Sequence, residues 1–286
     1  MAVTGDASLQ KEYIDEAVKA VAGKEFRIYT LCTQDSSNAQ TETYFREDNT
    51  ELTGGTGSAI KQTPRFAAFP NVQPSWTKVT TRNEKYAAEF IISLEDEIMT
   101  NIPKLARGIV KTGRAVANAM NLAVEAVLSA SAGNTYAVPA GYEIDSATIQ
   151  NRDPINIALQ AIQLIRADNI DPLNGQGYWV MNGTDFTNII SNSKVTNNFS
   201  FKAADVVSNG KVAQLVGLTL MIDESVTADQ SYIVVKNEGL VWKSVKGITT
   251  EIITDAGISK TVRVYAIGHC QLQAPNCICK ITNMRA

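Results

Sequence analysis

The feature that most constrains this chain is one helical stretch of unusual length. Residues 93–132 read SLEDEIMTNIPKLARGIVKTGRAVANAMNLAVEAVLSASA and stop at Gly133. Ser93 with Asp96 makes a capping-box-like start, a hydroxyl for the early backbone N–H groups and an acid in the positive first turn. Pro103 is costly inside a helix but tolerated in a first turn. The expectation is a short helix over 94–100, a break near Asn101, and a long helix from about Pro103 to Ser131. Ile102, Leu105, Ile109, Val116, Met120, Ala123 and Val127 recur at three- and four-residue steps, an apolar stripe. Lys104, Arg107, Lys111, Arg114, Asn118 and Glu125 are expected off that stripe. Small residues, Gly108, Gly113 and several alanines among them, thin the other faces so that neighbouring backbone can come close.

At ~1.5 Å per residue such a helix is about 43 Å long, well beyond the usual three turns. Its charges lack the regular heptad placing of a coiled coil. Its Lys and Arg residues argue against a membrane span, and no run of 18 apolar residues occurs anywhere. The helix is therefore expected to be a strut on which strands from both ends of the chain are laid.

The other segments show what the strut carries. Residues 8–22 form an amphipathic helix with Tyr13, Ile14, Ala17, Val18 and Val21 on its apolar side and Gly23 as its stop. EFRIYTLCT, residues 25–33, alternates like a strand. Residues 34–76 are rich in Thr, Ser, Gly and Pro, and 77–93 read as a returning strand. Tyr44, Phe45, Phe66, Phe69 and Trp76 are costly to leave in water, and Gly54, Gly55 and Gly57 mark a tip. This pattern fits a long two-stranded hairpin projecting from the body. Such a ribbon is marginal alone and has to lie on something, most simply another subunit. Gly54–Ser58 lacks the Gly-Lys-Ser/Thr ending and following helix of a phosphate loop.

Residues 133–152 read as a connector. Asp153-Pro154 opens a helix that feeds Ile157, Ile162, Leu164 and Ile165 into a core. Residues 177–181 read as a buried strand, Asn182–Asp185 as a turn into a helix, and 193–211 as a polar loop. Strand runs follow at 215–222 and 232–235. From Ile248 the pattern is β: Val262, Val264, Ala266, Gly268, Cys270 and Leu272 alternate with Arg263, Tyr265, His269 and Gln271, a half-buried strand that the long helix would cover.

Function classes narrow by composition. Charged residues make up 19% of the 286 and net charge is −3, so no basic surface for specific nucleic-acid binding is implied. Abundant Asn, Thr, Ser and Gln suit a surface covered by copies of itself. The N-terminus holds no signal-peptide run, so the sequons at Asn182 and Asn198 read as chance matches. With one histidine, a Ser–His–Asp or multi-His mechanism has little to draw on, and Glu95-Asp96-Glu97 reads as a helix start rather than an acid/base pair. Cys32, Cys270, Cys277 and Cys279 read as free core thiols. A metal site from His269 and the last three cysteines fits poorly, because neighbours 269 and 270 point to opposite faces of a strand. No catalytic residue, cofactor or metal is expected.

In order and length these segments resemble the HK97-fold major capsid proteins of tailed viruses. The residues that carry it are Phe69-Pro70 before Trp76, Lys85 and the strand 86–92, and Ser93-Leu-Glu95 before the Ala-rich helix. Then come the helix 154–167, the strand-turn-helix from Tyr178 to Phe186, the strand pair 215–222 and 232–235, and Ala274-Pro275 before the strand 278–281. The resemblance spans about residues 25–286 and rests on order rather than on any single motif. It implies an α+β fold with an N-terminal arm (1–24), an extended β-hairpin loop with peripheral-domain strands (25–92), a peripheral domain with a spine helix (93–152), an α/β axial domain (153–245) and peripheral-domain C-terminal strands (246–286). It further implies self-assembly into hexamers and pentamers of an icosahedral shell around double-stranded DNA held by non-specific contacts. The shell would be part of a virion assembled in a host cytoplasm, with no membrane. Portal, scaffold and decoration proteins are the implied partners. No long charged helix precedes the arm, so a scaffold is expected to be a separate protein, or the chain to be a processed form. Tyr44, Phe45, Gly54, Gly55, Gly57, Phe66, Phe69 and Trp76 are the expected assembly residues. The same fold also serves encapsulin-type compartments that package a cargo enzyme, the alternative reading.

Overall fold

A helix over Ala7–Glu25 (α1) lies against the long helix, Lys104–Ser131 (α2), which runs unbroken for 28 residues. The computed structural model describes residues 7–47, 76–93, 95–96, 104–196 and 214–286. The expected helix over 94–100 and the break at Asn101 fall largely outside these residues, but its cap is present: Ser93 Oγ accepts from the Asp96 N–H at 3.1 Å.

The apolar stripe of α2 holds in its first half, where Ile109, Val116 and Met120 are buried. It then shifts by one position, so that Val124 and Leu128 are fully covered in place of Ala123 and Val127. With 3.6 residues per turn the buried line drifts around the axis, and here it crosses from one sheet to another. Glu125, expected to face solvent, is carried onto the buried face and accepts from the Tyr232 hydroxyl at 3.0 Å. In α1, Ile14, Val18 and Ala22 are buried, while Tyr13 is 75% exposed and helix continues past Gly23 to Glu25. Gly113 of α2 faces Val18 and Val21 of α1 rather than a strand. The tight approach is at Gly108, where any Cβ would overlap the Phe90 ring.

Four strands form the sheet beneath α2: Thr33–Ser36 (β1), Glu84–Ser93 (β4), Leu240–Asp255 (β10) and Ser259–Leu272 (β11), in the order β1-β10-β11-β4. The β10–β11 hairpin turns at Asp255–Gly257 as its turn residues suggest, with Gly257 at φ +77°. Val262, Val264 and Ala266 point to α2 and share one core with Ile109, Val116, Val124, Trp242 and Leu240. Residues 28–31, expected as strand, form a 3-10 turn instead, with Ile28 and Leu31 both fully buried. Alternation and a three-residue step are indistinguishable over so few residues. Tertiary acceptors decide: Asn121 Oδ1 takes the Arg27 and Tyr29 N–H groups at 3.4 and 3.3 Å, and Asp223 Oδ2 takes that of Ile28 at 3.4 Å.

Six strands form the second sheet: Asn134–Ala137 (β5), Gly177–Met181 (β6), Gln214–Leu215 (β7), Leu218–Ile222 (β8), Gln230–Val235 (β9) and Ile278–Thr282 (β12), in the order β5-β12-β9-β6-β8-β7. The helix Pro154–Ala167 (α3) packs on it, with the Asp153 carboxylate accepting the Asn156 N–H at 3.0 Å as its cap. The helices Gly183–Ile190 (α4) and Ser193–Thr196 (α5) follow β6. Three features differ from expectation. The connector 133–152 contains β5. The run 215–222 is a hairpin, because Val216 and Gly217 at φ +55° and +79° make a two-residue turn. And β12 joins this second sheet, between β5 and β9, rather than completing the first. A strand there needs both faces apolar, and Ile278, Cys279 and Ile281 are all fully buried.

Candidate assembly surface

Between β1 and β4 the chain leaves the body as a two-stranded ribbon. Thr41–Glu47 (β2) pairs antiparallel with Trp76–Arg82 (β3), from Thr41↔Arg82 to Glu47↔Trp76. The side chains alternate, so the ribbon has two faces with different work. One face looks at the body: Tyr44 is buried, and Glu42, Arg46, Val79 and Thr81 are half-buried. The other faces out, and there Phe45 is 59% exposed and Trp76 57% exposed. Phe45 stands opposite Lys78 and Trp76 opposite Glu47, so the two rings are diagonal neighbours within side-chain reach. The Thr43 and Thr80 hydroxyls lie 3.3 Å apart on the same outer face.

The inner face docks on the end of β11 through polar groups. Gln271 Nε2 donates to Glu42 Oε2 at 3.1 Å, Thr81 Oγ1 lies 2.6 Å from His269 Nε2, and His269 Nδ1 lies 2.7 Å from Asn83 Oδ1. A backbone bond from Glu47 N to Gln273 O, 2.8 Å, adds to these. His269 and Gln271, expected on a solvent face of β11, are therefore only 5% and 1% exposed. The ribbon covers them, and no alternation in β11 alone can announce a cover that comes from β2 and β3. The signal that was present is a row of polar side chains opposite Val264, Ala266 and Cys270 ending in the amide of Gln271.

Thr81, His269 and Asn83 have the connectivity of a hydroxyl–imidazole–amide relay. Their setting does not suit catalysis. The ring lone pair that would take the Thr81 proton is shared with the Gln271 amide nitrogen at 2.8 Å, and these residues line neither the concavity around Tyr265 nor the one beside Tyr136. Burial holds the His269 ring below the usual histidine range, with Lys243 adding to this and Glu42 and Glu84 opposing it.

The outer face of the four-stranded sheet is a lattice of charges. Tyr265 donates to Glu251 at 2.7 Å and accepts from Lys246 at 2.6 Å, while the ammonium groups of Lys85 and Lys246 stand 4.7 and 4.8 Å from its ring centre. Arg263 pairs with Glu89 at 2.8 Å. These residues line an open concavity of about 580 Å³. A smaller one of about 230 Å³ lies between Tyr136, Tyr142 and the start of α3. Among the described residues no group of three or more His, Cys, Asp or Glu is placed to hold a metal. All four cysteines are buried, and desolvation pushes the Cys277 and Cys279 thiols up to about 12. Among the described residues no helix is long and apolar enough to cross a membrane.

Of the eight expected assembly residues, the structure therefore separates Tyr44, turned inward, from Phe45 and Trp76, turned outward. Gly54, Gly55, Gly57, Phe66 and Phe69 lie outside the described residues.

No protein-family model matches the chain, and no curated relative matches it. Solved structures do. The capsid of the cyanophage P-SCSP1u superposes with a TM-score of 0.67 at 11% identity, over 89% of this chain and 86% of that one. A virus-like particle from Pyrococcus furiosus gives 0.64 at 9% identity, over 95% of this chain and 99% of that one. The mature capsid of bacteriophage PhiM1 gives 0.63 at 13% identity, over 90% and 86%. The chain has the fold of these shell proteins across nearly its whole length, the HK97-like capsid fold expected from the order of its elements.

Proposed function

We propose that this chain is the major capsid protein of a tailed virus, closing as hexamers and pentamers into an icosahedral shell around double-stranded DNA. The observation that carries this beyond fold is the two-faced ribbon. Its inner face is docked on its own subunit, and its outer face presents Phe45 and Trp76 where no described residue covers them. A ribbon with one satisfied and one aromatic face is suited to lie across a neighbouring copy, and 59% and 57% exposure of two large rings is the kind of anchor that interfaces bury. In this reading residues 1–24 are the arm, 25–92 and 93–152 with 246–286 the peripheral part, and 153–245 the axial part, apart from β5 and β12, which pair in the sheet of β6 and β9. Gly54, Gly55, Gly57, Phe66 and Phe69 act in the same contact. Scaffold, portal and decoration proteins would be separate chains, and the virion would be built in the host cytoplasm. The role is structural rather than enzymatic.

Electron microscopy of the purified protein tests this. Closed shells with nucleic acid inside are the expected result. Shells that hold a packaged protein would identify an encapsulin-type compartment instead, and particles that never exceed monomers or small oligomers would refute a shell role.

A further inference from the structure

The one histidine of this chain sits at the root of the ribbon, and its surroundings fix which nitrogen carries the proton. Asn83 donates through Nδ2 to Ser37 Oγ at 3.2 Å and to the Ala39 carbonyl at 2.6 Å. Its Oδ1 is therefore the atom turned to the ring, 2.7 Å from His269 Nδ1, and Nδ1 must be the donor. Nε2 is then a lone pair facing two donors, the Gln271 amide nitrogen at 2.8 Å and the Thr81 hydroxyl at 2.6 Å. The same amide nitrogen gives its other hydrogen to Glu42 Oε2 on β2. The remaining atom of that amide, Gln271 Oε1, is buried with no partner. An orphaned buried acceptor is costly, and here it sits on a group that could satisfy it by turning over.

We propose that His269 is a proton-operated latch on the ribbon: a second proton on the ring turns the Gln271 amide, withdraws its hydrogen bond from Glu42, and loosens the root of β2 and β3 from β11. Protonated at both nitrogens, the ring would point an N–H between the Thr81 hydroxyl, which can rotate to accept it, and the Gln271 amide N–H, a second donor that cannot. Turning the amide replaces that clash with a charge-assisted bond to the orphaned Oε1. The loss then falls on Glu42, which forfeits the bond tying β2 to β11. The charged groups around the ring come from three strands. Glu42 on β2 and Glu84 on β4 favour the imidazolium, while Lys243 on β10, itself paired with Asp35, opposes it together with burial. Burial is the largest of these, so the docked ring binds a proton less readily than a free histidine. The docked state is accordingly at full strength above the ordinary histidine range near pH ~6.5 and weakens as pH falls below it. The link from latch to shell assembly rests on the function proposed above. The latch itself does not, and the test reads the ribbon root alone.

Hydrogen exchange of the full chain, corrected for intrinsic rates, is followed by mass spectrometry between about pH 7.5 and pH 5. Peptides covering 41–47 and 76–84 report the ribbon and 230–235 the buried β9. The expected result is a loss of protection of about tenfold at the ribbon on acidification, the worth of one hydrogen bond to a charged group, with β9 unchanged. His269→Gln should remove the pH dependence. Gln271→Met, which has no amide to turn and no bond to Glu42, should show the lowered protection already at pH ~7.5 and lose no more on acidification. Protection that is independent of pH in the native chain, or the same loss in His269→Gln, overturns the proposal. If His269→Gln does not fold, Gln271→Met decides alone: native protection at pH ~7.5, or the native loss on acidification, overturns the proposal. If the ribbon loosens as expected while shell assembly ignores pH, the latch stands and the assembly role of this ribbon face fails.

Discussion

Replacing Phe45 and Trp76 together by threonine separates an assembly surface from an ordinary exposed strand. A Phe or Trp side chain carries roughly 150–250 Å² of surface. With 59% and 57% exposed, about 100 Å² of each remains for a neighbour to cover. At ~25 cal/mol per Å² that is roughly 2.5 kcal/mol per ring and about 5 kcal/mol for the pair, inside the range of interface hot spots. The subunit concentration needed for assembly should therefore rise by about 10³-fold. Threonine keeps the strand preference of these positions, and both rings face away from the body, so subunit stability should change by no more than about 0.5 kcal/mol. Sedimentation velocity across a dilution series reads the first quantity and thermal circular dichroism the second. Tyr44→Ala is the control with opposite signature. Tyr44 is 8% exposed on the inner face, so its loss should lower the melting temperature. Unchanged assembly in the double variant would refute the assignment of this face, and so would a fall in its melting temperature equal to that of Tyr44→Ala.

Three further outcomes follow from particular contacts. Gly268→Ala puts a Cβ about 2.5 Å from the Lys243 carbonyl oxygen and 2.9 Å from Trp242 Nε1, so β10 must move; about 1–3 kcal/mol of stability should go, read by denaturant unfolding. Arg285→Ala removes the partner of the fully buried Asp185, 2.5 Å away. Burial already holds that carboxyl above its usual range despite the arginine, and without it the ionised form becomes costlier still. The melting temperature should fall more at pH ~7, where the unfolded chain is ionised, than at pH ~4, where it is half-protonated; an equal fall at both would refute this. Cys277 and Cys279, neutral at pH ~8 because their thiols titrate at about 12, should resist iodoacetamide in the native protein and react on unfolding.

How much of this was legible in the sequence depended on how local the cause was. The long helix, the cap at Asp153, the turn at Asn182 and the β10–β11 hairpin are written within a few residues of where they act. Propensity, capping and turn chemistry are short-range, and there the reading holds. The same is true of the two Thr-rich strands of the ribbon. Phe45 and Trp76 were legible as residues that need burial.

What the sequence could not decide was which surface meets which. Glu125 turns inward because a helix of 28 residues crosses two sheets, and its buried line drifts as it does so. Residues 28–31 form a turn rather than a strand because Asn121 and Asp223, about 90 and 200 positions away, accept their N–H groups. β12 leaves its sequence neighbour β11 for the sheet of β5 and β9. Tyr44 and Phe45 are adjacent and both aromatic, yet one is buried and the other exposed, because the end of β11 lies on one side of the ribbon only. His269 and Gln271 are polar residues on a strand that becomes interior when β2 and β3 fold over it. A strand pattern records that its two faces differ. Only the packing of distant segments, driven by groups that must be buried or hydrogen-bonded somewhere, determines which face is covered and by what.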